Sequence, residues 1–222
     1  MKITKTALIV ILLMLIFLFI VLVIENAEAE KIPHDWRKVD DGETPVVIYL
    51  EGSTWNIEKS IYTSSLYYGL NMICICSRTK QYNFSGYWRQ EDLDRMAGEV
   101  LDLVRGTFPE VKTVINISFS NGGYMANALH RQCRENGIET LCAVCLESWP
   151  ERWGFPDIEA DSVPLMIGLS QTKIPRHITE KTMEYAQTAK ATVREYPVNH
   201  GALETDHTVH SDVYDFIKGV MQ

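Results

Sequence analysis

Short apolar runs rich in β-branched residues alternate with longer amphipathic segments along most of this chain. The predicted strands lie at 46–50, 71–76, 113–118, 141–146, 164–169 and 192–196. The predicted helices lie at 57–68, 91–108, 124–135, 178–190 and 208–220. Near-continuous apolar strands are typical of a sheet covered on both faces, and regular alternation with helices favours parallel strands. The sequence therefore predicts an α/β fold, a three-layer sandwich with a mostly parallel central sheet.

Composition and charge limit what such a domain can do. With 222 residues, of which 46% are hydrophobic, the chain can form one well-buried domain but hardly two. A net charge of -8 argues against a nucleic-acid partner, because phosphate binding requires basic patches.

The five cysteines are few and odd in number, and most lie on predicted core strands. This pattern favours buried thiols over a disulfide framework. A zinc site made of Cys74, Cys76, Cys142 and Cys145 is a weaker interpretation, since zinc usually takes such ligands from loops. We predict no metal and no cofactor.

The N-terminus differs from the rest of the chain. Two lysines precede an uncharged apolar run at 7–24, and three glutamates follow it closely. Eighteen residues rise about 27 Å as a helix, close to the thickness of the hydrocarbon core. The charges predict a membrane anchor with the domain outside; a secretory signal peptide cleaved near Ala29 is the alternative. The predicted organisation is an anchor or signal at 1–30, a linker at 31–44 and the α/β domain at 45–222.

The segment with the clearest chemistry follows the predicted strand at 113–118. Residues 118–123 read Ser-Phe-Ser-Asn-Gly-Gly and lead directly into a predicted helix. Small residues at 118 and 122 permit a sharp turn that exposes the Ser120 hydroxyl. The positive N-terminal end of the following helix is suited to stabilise an oxyanion. The pattern predicts Ser120 as a nucleophile.

This small-x-Ser-x-Gly-Gly turn between a strand and a helix resembles the nucleophile turn of the α/β-hydrolase fold family of serine esterases and lipases. The resemblance covers 45–222, although Ser118 stands where the family usually has Gly. It implies hydrolysis of carboxylic esters through an acyl-enzyme. It also implies that the backbone N–H of Ser53 or Thr54, and that of Asn121, bind the oxyanion. In the first of these loops, Glu51 replaces the family's common His.

The family places its general base after the last strand. His200 fits that position, with His207 as the alternative. For His130, inside the helix after the nucleophile, we expect a solvated position on the helix face.

The third member of a triad is missing from its usual place. The segment 164–175 resembles the family's acid-bearing segment, but Gln171 occupies the aspartate position. Three alternatives follow. The acid is Glu147, at the end of the preceding strand, or it comes from Glu204 or Asp206. Otherwise Ser120 and His200 act as a pair, with Gln171 orienting the imidazole. We favour Glu147.

Aromatic residues in segments expected to rim the site suit an apolar acyl group or a sugar ring. They are Trp55, Tyr82, Phe84, Tyr87, Trp88, Trp149, Trp153 and Phe155. We therefore expect an exported serine hydrolase acting on a small-molecule, glycan or lipid ester. The alternative is a catalytically impaired binding module at the membrane surface, suggested by Gln171 and Glu51.

Overall fold

The computed structural model describes residues 13–17, 34–52, 67, 69–76, 92–148, 154–172 and 176–222. The chain divides into two compact units, Met1–Ile32 and Pro33–Gln222. In the first unit residues 13–17 are helical. The rest of the predicted apolar span, and with it the choice between anchor and signal peptide, lies outside the described residues. Nowhere in the described ranges does a helix have the length and apolar character needed to cross a membrane.

The second unit alternates strands and helices as predicted. Its described strands are β1 (His34–Arg37), β2 (Val46–Leu50), β3 (Asn71–Ile75), β4 (Thr113–Phe119), β5 (Glu139–Leu146), β6 (Leu165–Thr172) and β7 (Thr192–Asn199). Its described α-helices are α1 (Leu93–Thr107), α2 (Gly123–Glu135), α3 (Pro156–Ala160), α4 (Arg176–Thr188) and α5 (His207–Val220). The predicted helix at 57–68 lies outside the described residues apart from Tyr67.

The seven described strands form one sheet in the order β1-β3-β2-β4-β5-β6-β7. All neighbours are parallel except β1, which pairs antiparallel with β3. The predicted α/β fold with a mostly parallel sheet is therefore confirmed. Since the carboxyl ends of parallel strands meet at one edge, the residues after β2, β4, β5 and β7 are brought together there.

Strand β1 was missed by the sequence analysis, which predicted a linker at 31–44. Its four residues, His34–Arg37, are mostly polar and lie at the edge of the sheet. An edge strand has a neighbour on one side only, so it needs no continuous apolar run to mark it.

Both faces of the sheet are covered. Alternate residues of β5 belong to two different clusters: Val144 and Leu146 pack with residues of α5, whereas Ala143 and Cys145 pack with residues of α2, α3 and α4. This alternation follows from the two-residue period of a strand. The three-layer arrangement explains why the strands read as near-continuous apolar runs.

Two strands are longer than predicted, and both differences affect the site. Strand β6 continues to Thr172, three residues beyond the predicted end, so Gln171 lies within a strand and not in a loop. Strand β7 continues to Asn199, through Pro197, and His200 follows it directly.

Candidate active site

The turn at Ser120 is as sharp as the small residues around it suggest. Strand β4 ends at Phe119, Ser120–Gly122 form one 3₁₀ turn, and α2 begins at Gly123. Ser120 has a φ of 50°, in the left-handed region that non-glycine residues rarely adopt. A Cβ atom at Gly122 would lie 2.3 Å from the Leu50 carbonyl oxygen, so this position requires glycine. The turn is thus pressed against the end of β2.

The loop that follows β2 begins beside the nucleophile. A Cβ atom on Gly52 would lie 3.1 Å from the Ser120 Cβ. Its neighbour Glu51 is buried; its backbone N–H donates to the Ile75 carbonyl at 3.0 Å, and its carboxylate accepts a hydrogen bond from the Cys76 thiol at 2.9 Å. The end of β3 therefore holds the start of this loop in place.

The predicted oxyanion-binding residues are only partly described. Ser53 and Thr54 lie outside the described residues. Asn121 is buried as the second residue of the 3₁₀ turn, next to Ser120 and two residues before the start of α2. Its backbone N–H thus belongs to the segment where the partial positive charge of the helix N-terminus is concentrated.

His200 contacts Ser120 from the end of β7, three strands away from β4 in the sheet. It begins a 3₁₀ turn directly after β7, and its Nε2 lies 3.0 Å from the Ser120 Oγ. The Phe119 ring stacks on the imidazole, with centroids 4.8 Å apart and planes 28° from parallel. The Asn199 side chain accepts a hydrogen bond from the Ala202 N–H at 3.1 Å and so braces the turn. The imidazole is therefore oriented by a stacked ring as well as by its hydrogen bonds.

Glu147 occupies the other side of the imidazole. It is the first residue after β5 and only 1% exposed, and its Oε2 is hydrogen-bonded to the Nδ1 of His200. Its Oε1 accepts a hydrogen bond from the Ser170 hydroxyl at 2.8 Å. A carboxylate at Nδ1 keeps the proton on that nitrogen, which leaves Nε2 free to accept from the Ser120 hydroxyl.

Among the described residues, neither the other candidate acids, Glu204 and Asp206, nor Gln171 contacts His200. Gln171 lies within β6 and is exposed. Asp206 caps α5, where its side chain accepts from two backbone N–H groups. Glu204 is buried, and its backbone carbonyl accepts from the Nε2 of His210. Among the described carboxylates, Glu147 is the one in contact with the Nδ1 of His200.

The other histidines named by the sequence analysis lie away from Ser120. His207 is exposed at the first residue of α5. His130 is 4% exposed, which makes the expected solvated position wrong. Its Nδ1 lies 2.9 Å from the Thr140 hydroxyl and its Nε2 lies 2.9 Å from a carboxylate oxygen of Asp161. It therefore links α2 to β5 and to the turn after α3.

Two contributors escaped the sequence analysis. Phe119 was given no role of its own in the turn, and Ser170 lay just after the predicted strand at 164–169. A hydroxyl directly before the expected acid position was the available signal for Ser170. No nearby residue in the sequence indicated a role for Phe119, because its stacking partner, His200, is 81 positions later in the chain.

Of the aromatic residues expected at the rim, Phe155 is described and the other seven lie outside the described residues. Phe155 is 1% exposed and packs edge-on against Tyr185. The rim position predicted for it is therefore wrong: its side chain belongs to the core.

All five cysteines are buried, and none of them forms a disulfide. Burial raises the pKa of Cys133, Cys142 and Cys145 to about 12, because a thiolate is poorly solvated in the core. Within the described ranges, no group of three or more His, Cys, Asp or Glu side chains is arranged to hold a metal ion.

No protein-family model and no curated protein sequence matches the chain. Solved structures do match it. A structure from a study of carboxylesterases of the thaumarchaeon Nitrososphaera gargenis is 10% identical, with a TM-score of 0.63, over 86% of this chain and 95% of that one. A hyperthermophilic esterase from the archaeon Pyrobaculum calidifontis is 13% identical, with a TM-score of 0.58, over 86% and 85%. A predicted CIB-like hydrolase from Thermoplasma acidophilum is 13% identical, with a TM-score of 0.61, over 85% and 99%. At such identities the similarity shows the fold.

Proposed function

From the α/β-hydrolase fold of this chain, we propose that the protein is a serine hydrolase that cleaves carboxylic esters, with Ser120, His200 and Glu147 as its triad. One observation carries the proposal. The Ser120 hydroxyl lies 3.0 Å from the His200 Nε2, while the opposite ring nitrogen is bonded to a buried carboxylate. A serine is activated at neutral pH when its hydroxyl contacts a histidine whose other ring nitrogen is bonded to a carboxylate.

The reaction follows from these contacts. His200 Nε2 accepts the hydroxyl proton as the Ser120 Oγ attacks the ester carbonyl, and the resulting imidazolium is stabilised by the carboxylate of Glu147. The Asn121 N–H and the N-terminal end of α2 stabilise the oxyanion. His200 then protonates the departing alcohol, which leaves an acyl-enzyme on Ser120. A water molecule, deprotonated by His200, releases the carboxylic acid and restores the serine.

The alternative of a catalytically impaired binding module was suggested by Gln171. Gln171 is a weaker argument for that alternative once Glu147 is considered, because a buried carboxylate bonded to His200 can replace an aspartate at position 171. The ester substrate class is supported by two structural neighbours, one from a study of carboxylesterases and one an esterase. The acyl and alcohol parts are expected to come from a small molecule, a glycan or a lipid.

We also propose that the domain works outside the membrane, held by the apolar run at 7–24. The support is the sequence pattern alone: lysines before the run and glutamates after it. Expression of the full chain with a C-terminal tag, followed by protease treatment of intact cells, tests this. Digestion of the tag from outside is expected, and a fully protected tag would contradict the proposed orientation.

The nucleophile is tested with a fluorophosphonate probe and short-chain nitrophenyl esters. The wild-type protein should be labelled at Ser120 and should turn over the esters. Ser120→Ala should abolish labelling, and both Ser120→Ala and His200→Ala should reduce kcat by about 10⁶-fold. His207→Ala, which changes an exposed histidine outside the triad, serves as the control and should retain full activity. Undiminished labelling of Ser120→Ala would refute the assignment.

The acid is tested by Glu147→Gln, which keeps the shape of the side chain and removes its charge. Loss of the charge that stabilises the imidazolium should lower kcat by about 10⁴-fold with little change in KM. Glu195→Gln, at an exposed carboxylate on β7, is the matched control and should leave kcat unchanged. Equal rates for Glu147→Gln and the wild type would remove Glu147 from the triad.

A further inference from the structure

Glu147 makes two hydrogen bonds to the neighbouring strand β6 in addition to its contact with His200. Its backbone N–H donates to the Gly168 carbonyl at 2.8 Å, and its Oε1 accepts from the Ser170 hydroxyl at 2.8 Å. Gly168 pairs with Leu146, the last residue of β5, so Glu147 stands beside the segment 168–170. One strand therefore supplies the acid, and the next strand supplies its hydrogen-bond donor and acceptor.

The side chain of Ser170 is suited to this task by its place on β6. Gly168 and Ser170 are two residues apart and so face the same side of the sheet. Ser170 is 4% exposed, which leaves little room for water to replace its hydroxyl. The next residue, Gln171, faces the opposite side of the sheet and is exposed. The strand thus presents a hydroxyl, and not the amide of Gln171, towards the acid.

A glutamate in this position needs such a contact more than an aspartate would. Its side chain has one more rotatable bond, and each bond adds conformations in which the carboxylate leaves the imidazole. The bond to Ser170 holds one oxygen, so the other is directed at the Nδ1 of His200. A hydroxyl donor also stabilises the ionised form of a buried carboxylate.

We propose that Ser170 is a positioning residue that holds the carboxylate of Glu147 in the orientation that supports His200. The inference rests on the proposed function, since it assigns Ser170 a part in the same triad. The hydroxyl of Ser170 contacts Glu147 and acts on His200 through that carboxylate. Strand β6 has no acid at position 171, and it contributes instead the Ser170 hydroxyl that orients Glu147.

The first test compares Ser170→Ala with the wild type on a nitrophenyl ester. We expect kcat to fall about 10- to 100-fold, the range for loss of a hydrogen bond to a charged group, with KM changed less than twofold. Ser170→Thr retains a hydroxyl and should restore most of the rate. Ser211→Ala, an exposed serine on α5, is the matched control and should behave as wild type. A wild-type kcat in folded Ser170→Ala would overturn the proposal.

The second test separates positioning from a purely structural effect. In a Glu147→Ala background, Ser170→Ala should lower the rate of fluorophosphonate labelling of Ser120 no further, because the acid through which it acts is gone. An equal loss in both backgrounds would overturn the proposal, even if Ser170→Ala alone is impaired. This failure differs from that of the proposed function, which would appear as an absence of Ser120 labelling in the wild-type protein and would overturn both.

Discussion

Ser120 and Glu147 adopt backbone conformations that non-glycine residues rarely take, with φ angles of 50° and 49°. Each is the first residue after a parallel strand, β4 or β5, at the carboxyl edge of the sheet. Such conformations cost about 1–3 kcal/mol each and persist where the surroundings hold them. For Glu147 the backbone bond to the Gly168 carbonyl does so. Two strained corners after neighbouring strands thus bring the Ser120 hydroxyl and the Glu147 carboxylate to the same histidine, His200.

At the scale of a single residue, Gly122→Ala should destabilise the fold by about 3 kcal/mol, at the upper end for overpacking. The added Cβ would lie 2.3 Å from the backbone oxygen of Leu50, which cannot move without disturbing β2. Thermal or urea unfolding measures the loss. Gly106→Ala is the control: among the described residues, nothing beyond the backbone of α1 itself lies within 4 Å of its added Cβ, and Ala favours a helix by about 0.5–1 kcal/mol. Similar stabilities for the two variants would contradict the close approach at Gly122.

At the scale of elements, the extent of β6 decides which residues face the acid. The strand continues to Thr172, so Ser170 and Gln171 alternate between the site and solvent. Restoring an aspartate at the usual position should therefore fail. We expect Glu147→Ala combined with Gln171→Asp to be no more active than Glu147→Ala alone, measured as kcat on a nitrophenyl ester. Recovery of more than about tenfold in kcat would mean that position 171 can reach His200.

Helix α5 contains a buried histidine whose protonation affects stability. Its His210 is fully buried, with Nδ1 2.7 Å from the Tyr67 hydroxyl and Nε2 2.9 Å from the Glu204 carbonyl. Burial lowers its pKa from 6.5 to about 4, although that carbonyl and the charge of Asp206 act in the opposite direction. The unfolded chain therefore binds a proton near pH 6.5, whereas the folded protein does so only near pH 4.

The stability supplied by neutral His210 is complete above pH 6.5 and is lost as the pH falls towards 4. The expected loss is about 3 kcal/mol between pH 7 and pH 4. Urea unfolding across this range measures it. His210→Gln, which cannot be protonated, should show a shallower decline because only other groups then contribute. Parallel pH profiles for the two proteins would contradict the assignment to His210.

At the scale of the whole molecule, stability comes from a sheet covered on both faces, without disulfides. All five cysteines are buried thiols, and burial raises the pKa of Cys74 well above its usual range. The native protein should therefore react very slowly with a thiol reagent such as dithionitrobenzoate, and five thiols should react once it unfolds. An unchanged melting temperature with added reductant would accompany this. Fast reaction of any thiol in the native state would contradict the buried positions.

Much of this fold could be predicted because its strands are buried on both faces. The predicted run at 46–50 coincides with β2, and the predicted helices at 124–135 and 208–220 begin within one residue of α2 and α5. Prediction failed where burial is one-sided or where a strand ends. β1 lies at an edge and carries polar residues, and β6 continues through Ser170 and Gln171, which read as a loop because they are polar.

The features that could be read from the sequence are local: a strand, a tight turn and a helix around Ser120, and a histidine directly after the last strand. These features follow from short-range sterics and hydrophobic periodicity, which depend only on residues that are close together in the sequence. The partner of His200 is not local. Glu147 and His200 are 53 positions apart, and they meet because β5, β6 and β7 are adjacent and in a register that places their ends together. Which of Glu147, Glu204 and Asp206 contacts His200 depends on the tertiary structure, since register is a property of the assembled sheet.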